Sequence, residues 1–262
     1  MLGVMGSRFA PLGAIALLLG GCAAPAPETA AVTHYDVEIV QVHPFDESSF
    51  TQGLEVDSDG TLLVGTGGVR ESRIYRTTLS GEELVSAELD PELFGEGITR
   101  VNGHIWQLTW QEGVAVRRDA DTLDEVGQVR YPGEGWGLCA RTDELIMSDG
   151  TDRLRRLDPH TFEERGRISV TLGDQPAERL NELECIGDEV YANVFLSTDI
   201  LRIDAATGAV TGVIDASTLP NNAVPHRDHV LNGIAQVPGT DRLLLSGKRW
   251  PDLYEVEVVP AQ

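Results

Sequence analysis

Apolar and polar positions alternate in short runs along most of the chain, and Gly, Asp, Asn and Pro separate the runs. Stretches with a helical period are scarce, so the pattern predicts an all-β protein. The runs also repeat. A polar or aromatic residue, usually followed by Gly and then an aliphatic residue, occurs as Gln52-Gly53-Leu54, Glu96-Gly97-Ile98, Trp136-Gly137-Leu138, Asn181-Glu182-Leu183 and Asn232-Gly233-Ile234. The intervals between these elements are 44, 40, 45 and 51 residues, the length of a four-stranded propeller blade. Each element is followed by a second apolar run, such as Leu62-Leu63-Val64 or Val190-Tyr191-Ala192, and then a third, such as Ile74-Tyr75 or Leu201-Arg202-Ile203.

The ends of the repeat fix its closure. The fifth unit stops after its third run, near Val259, and an unmatched run, Asp36-Val37-Glu38-Ile39-Val40, precedes the first. Placing that run as the outer strand of the last blade closes the ring and removes two open sheet edges. The expected architecture is a five-bladed β-propeller over 36–262, closed by an N-terminal strand. The first strand of each blade then lines the channel. This places Gln52, Glu96, Trp136, Asn181 and Asn232 in a ring at one mouth.

Outside the repeat, 1–21 reads as a leader, with Arg8 and then an apolar run over 13–20 too short to span a bilayer. Leu19-Gly20-Gly21-Cys22 resembles a bacterial lipoprotein cleavage site, which implies lipid on Cys22. The Ala- and Pro-rich 22–35 then reads as a tether. The expected location is the outer face of the cytoplasmic membrane or the periplasm, lipid-anchored.

Charge narrows the function. The sequence has 42 Asp and Glu against 20 Lys and Arg, so a polyanion such as nucleic acid is repelled. Beyond Cys22 the cysteines are Cys139 and Cys185. Aligned by blade, Cys139 matches Glu184, one position before Cys185. Neighbouring strand positions point to opposite faces, so two free, buried thiols are expected. The six histidines lie in different turns, and no metal site or cofactor is expected. A ring with one carboxylate, three amides and an indole suits a small polar ligand. Each member also has an ordinary alternative: the amides as partners of backbone groups at strand starts, the indoles as packing between sheets.

Phe50-Thr-Gln-Gly-Leu54, Leu93-Phe-Gly-Glu-Gly-Ile-Thr99, Gln107-Leu-Thr-Trp110, Gly133-Glu-Gly-Trp-Gly-Leu138, Leu180-Asn-Glu-Leu-Glu184, Val230-Leu-Asn-Gly-Ile-Ala235 and Gly247-Lys248 occur in this order. Together these segments resemble the glutaminyl-peptide cyclotransferases of plants and bacteria. The resemblance runs from about Val37 to Val259. It implies a metal-free cyclisation of the N-terminal Gln of peptides or proteins to pyroglutamate, by a monomer. It also implies Glu96 as the catalytic acid/base, in a substrate pocket of Phe50, Gln52, Phe94, Trp110, Trp136, Asn181, Phe195 and Lys248. The sequence departs from the family's pattern where Phe195 replaces a Trp, and at Val64, where the family often has a Glu that could hold the substrate amine. Two other readings share the same mouth: a non-catalytic peptide-binding envelope propeller, and a metal-dependent propeller hydrolase such as a lactonase.

Overall fold

The computed structural model describes residues 1–3, 6 and 31–261, and most of the leader, Cys22 and most of the tether lie outside them. Over 31–261 the chain forms strands and no helix among the described residues. The first strand is β1 (Thr33–Pro44). Blade 1 is β2 (Phe50–Val56), β3 (Leu62–Gly67), β4 (Arg73–Thr77) and β5 (Glu83–Glu88). Blade 2 is β6 (Gly95–Val101), β7 (His104–Thr109), β8 (Val114–Asp119) and β9 (Glu125–Arg130). Blade 3 is β10 (Leu138–Ala140), β11 (Leu145–Met147), β12 (Arg153–Leu157) and β13 (Glu164–Ser169). A two-stranded ribbon, β14 (Thr171–Leu172) and β15 (Gln175–Pro176), leads to blade 4: β16 (Leu180–Ile186), β17 (Glu189–Val194), β18 (Asp199–Asp204) and β19 (Val210–Asp215). Blade 5 is β20 (Leu231–Gln236), β21 (Leu243–Gly247) and β22 (Asp252–Pro260), completed by β1.

β1 lies antiparallel to β22, from Tyr35 opposite Pro260 to Pro44 opposite Asp252. It begins at Thr33, so residues 33–35, expected in the tether, belong to the fold. It also runs parallel to β19 over Thr33–Asp36, which joins blades 4 and 5 into one eight-stranded sheet. Both of its edges are therefore paired near the N-terminal end, which a single closing strand does not require.

The apolar residues of each blade face the neighbouring blades. Leu54, Val64 and Tyr75 of blade 1 pack on Ala235, Leu244 and Leu253 of blade 5, while Leu63 and Ile74 pack on Ile98 and Ile105 of blade 2. Blade 2 meets blade 3 through Trp106, Leu138 and Met147, and blade 3 meets blade 4 through Ile146, Leu154, Leu183 and Val190. Blade 4 meets blade 5 through Ile200, Ile214, Ile234 and Leu245. The core is thus a set of wedges between sheets, and every blade buries both faces. This explains the continuous apolar runs in second strands such as Leu62–Val64 and Leu243–Leu245.

One repeat position stitches the inner strands together. Three residues after the ring, Glu55 of β2 accepts the N–H of Arg100 on β6 at 3.0 Å, and Glu184 of β16 accepts the N–H of Gln236 on β20 at 2.9 Å. In β10 the same position is Cys139, and it is joined by a disulfide to Cys185 of β16, with the Cα atoms 5.4 Å apart. The expectation of two free thiols is therefore wrong. The two cysteines do point to opposite faces of their own blades. In a propeller, however, opposite faces of successive blades are the ones that meet, so opposite parity brings them together.

Candidate active site

The ring positions are set by irregularities in the inner strands. Pairing with the second strand slips between Thr51 and Gly53, Gly95 and Ile98, Leu180 and Leu183, and Leu231 and Ile234. Each slip is a bulge at the ring residue, a device that re-aims a side chain. In blade 3 the strand starts only at Leu138, and Trp136 precedes it with its N–H on Ser148 O at 3.0 Å. The following glycines let inner strands of neighbouring blades touch. A Cβ on Gly97 would lie 2.7 Å from Trp136 O, and one on Gly137 would lie 2.0 Å from Asn181 O. Blade 4 has Glu182 instead of Gly. Its buried carboxylate accepts Leu54 N–H at 3.3 Å and Ile234 N–H at 2.8 Å, tying blade 4 to blades 1 and 5.

Above this ring is a cavity of about 520 Å³. Phe50, Gln52, Phe94, Glu96, Trp110, Trp136, Asn181, Phe195 and Lys248 all line it. Its walls are aromatic. Phe94 meets Phe50 edge-on with centroids 6.2 Å apart, and meets Trp110 at 5.6 Å. Trp136 meets Phe195 edge-on at 5.6 Å.

Glu96 is buried at the floor. Its Oε1 accepts Gln52 Nε2 at 2.9 Å, and its Oε2 has no hydrogen-bond partner among the described residues. Burial pushes its carboxyl well above the ordinary range, Lys248 pulls it back, and Glu112 and Glu134 add to the rise. The Lys248 ammonium lies 4.9 Å from the Phe50 centroid and 5.1 Å from that of Phe195, a place for a cation between two rings. Burial lowers its pKa, against the opposing fields of Glu96 and Asp228. Asn181 is buried with its Oδ1 unpaired.

Several residues at the site escaped sequence reasoning. Glu134 Oε2 accepts Nε1–H of Trp110 at 2.9 Å and of Trp136 at 3.0 Å, so one carboxylate holds two walls. Its motif, Gly133-Glu-Gly-Trp, was visible, but nothing in it announces a shared acceptor. Leu196, in the β17–β18 turn, and Arg227 and Asp228, in the long β19–β20 connection, complete the rim. Asn232, a ring member, lies behind Gln52 and not on the wall. Val64 does not face the site at all: it is fully buried against Leu54, Tyr75 and Leu244. The idea that an acid lost at this position would have held the substrate amine is therefore incorrect for this chain, because the side chain points between blades 1 and 5.

A family model described as glutamine cyclotransferase matches residues 13–258. The chain belongs to the glutamine cyclotransferase family. Among its relatives, the glutaminyl-peptide cyclotransferase of Arabidopsis thaliana is 34% identical over 231 residues, which cover 86% of this chain and 72% of that protein. The crystal structure of Myxococcus xanthus glutaminyl cyclase superposes with a TM-score of 0.83 at 35% identity, covering 88% of this chain and all of that one. The chain therefore shares its propeller fold with a solved relative.

Proposed function

We propose that the protein converts the N-terminal Gln of peptides or proteins to pyroglutamate with release of ammonia, and that Glu96 carries the proton. The observation that carries this reading is a buried carboxylate with one oxygen free, at the floor of an aromatic cavity. The α-amine nitrogen bonds to the γ-amide carbon, and the bond from that carbon to the amide nitrogen breaks. Glu96 takes a proton from the attacking amine and returns it to the leaving nitrogen. A carboxyl whose pKa is raised by burial suits both transfers better than an ordinary one. Phe94, Trp110 and Trp136 hold the side chain curled toward its own amine. Lys248 and Asn181 face the cavity where negative charge develops on the amide oxygen.

The assay is incubation of the soluble domain with a Gln-initiated peptide, reading ammonia and the corresponding mass loss, with and without chelator. Glu96→Gln keeps size and polarity, and is expected to lower the rate by about a hundredfold to ten-thousandfold with little loss of peptide binding. Near-parental turnover by this variant would sink the acid/base role. Peptide binding without turnover by the parent would favour a binding module, and chelator sensitivity a metal-dependent reaction.

Location is part of the same proposal. The Leu19-Gly20-Gly21-Cys22 segment supports export with a lipid on Cys22, and the Cys139–Cys185 disulfide fits an oxidising compartment. Cys22→Ser is expected to move the protein from the membrane to the soluble fraction. Retention at the membrane would rule the anchor out.

A further inference from the structure

We infer that Asn232, which does not line the cavity, is a positioning residue for Glu96, setting which end of the Gln52 amide faces the carboxylate. The chain of reasoning starts from an atom that can only accept. Asn232 Nδ2 lies 3.0 Å from the backbone oxygen of Thr51 and 3.1 Å from Gln52 Oε1. A carbonyl facing Thr51 O would be two acceptors in contact, so the Asn232 amide must present N–H there. Its second N–H then points at Gln52, which must answer with its carbonyl. This leaves Gln52 Nε2 facing Glu96 Oε1 at 2.9 Å. Asn232 is fully buried behind the cavity wall, so water does not substitute for either of its contacts. The orientation leaves Asn232 Oδ1 unpaired, a cost the site carries.

The relay rests on the acid/base reading of Glu96. A donated N–H favours the ionised carboxylate, and loosening it leaves the proton more tightly held. The other charged or titratable groups acting on Glu96 are Lys248 after β21, Glu112 in the β7–β8 turn, and Glu134 and Tyr131 in the β9–β10 connection. None of these is hydrogen-bonded to Asn232 among the described residues.

The test is the pH profile of kcat/KM for the parent, Asn232→Leu, Gln52→Leu and the double variant, with Glu96→Gln as control. Leu fills the volume of Asn without its donors. Both single variants should move the acid limb to higher pH, so that the rate at about pH 6 falls roughly tenfold more than at about pH 9. The double variant should shift no further than Gln52→Leu, because both act through one amide. An Asn232→Leu profile that overlays the parent, or shifts that add, would overturn the inference. If Asn232→Leu does not fold, the parent supplies the answer: the Gln52 side-chain N–H₂ resonances should titrate with Glu96, and the Asn232 N–H₂ should exchange slowly. A Gln52 amide that ignores pH, or a fast-exchanging Asn232, overturns it equally. An active Glu96→Gln would instead remove the acid/base reading itself.

Discussion

At the scale of single residues, the cavity shows how one surface carboxylate organises two walls. Burial works against the charged form of Glu134, but the N–H groups of Trp136, Gln111 and Trp110 outweigh it and hold the carboxyl below its ordinary range. Trp110 comes from the β7–β8 turn of blade 2 and Trp136 from the entry to blade 3, so Glu134 fixes two cavity walls that belong to different blades. Glu134→Ala is expected to lower kcat/KM by about ten- to a hundredfold, mostly through KM, with a shift in tryptophan emission and an unchanged unfolding temperature. Unchanged kinetics would show that packing alone places the indoles. The ring residues were legible because one short element, a polar or aromatic residue two positions before an aliphatic one, recurs five times in the sequence. The roles of Glu134 and Asn232 were not, because they lie in which neighbour each residue meets, and a linear repeat does not give neighbours across blades. Val64 was misread for a related reason. A strand between two blades has no solvent face, so its alternation does not say which side holds the cavity.

At the scale of elements, the stitch three residues after the ring is solved in three ways: by Glu55, by Glu184 and by the Cys139–Cys185 bridge. The first two depend on a carboxylate and a backbone N–H, and the third is covalent and independent of pH. The loop it closes spans 46 residues, essentially one blade. Replacing both cysteines with Ser should destabilise the domain by about 2–4 kcal/mol, measured by urea unfolding, without disturbing the cavity. Alkylation and mass spectrometry of the native protein should find neither thiol free beyond Cys22. A freely alkylated Cys139 would refute the bridge. The parity that produces it was present in the sequence, but reading it required knowing that successive blades meet through opposite faces.

At the scale of the whole molecule, the inner strands carry, besides Glu96, three carboxyls whose pKa lies above the ordinary 4.5. Burial raises Glu55 to about 7 and Glu184 to about 8, and burial with the field of Glu184 raises Glu182 well above its usual value. In each case the folded chain holds the proton more tightly than the unfolded one. Their contribution to stability is therefore complete below pH 4.5 and is lost as pH rises through 7 to 8. The melting temperature is expected to fall by about 5 °C or more between pH 5 and pH 8, and Glu184→Gln, which keeps an acceptor for Gln236, should flatten that slope. A melting temperature that rises across this interval would show that these carboxyls are ionised in the fold.

The closing strand has a consequence in time as well as in space. β1 is made first and its partner β22 last, with Asp36 opposite Val259. The ring therefore cannot shut until the final strand has left the ribosome, and four blades must wait with one seam open. Such a chain has no finished domain to lock prematurely while it is being synthesised. That delay suits the export proposed above: a chain threaded through a translocation channel assembles its propeller only once β22 has passed through.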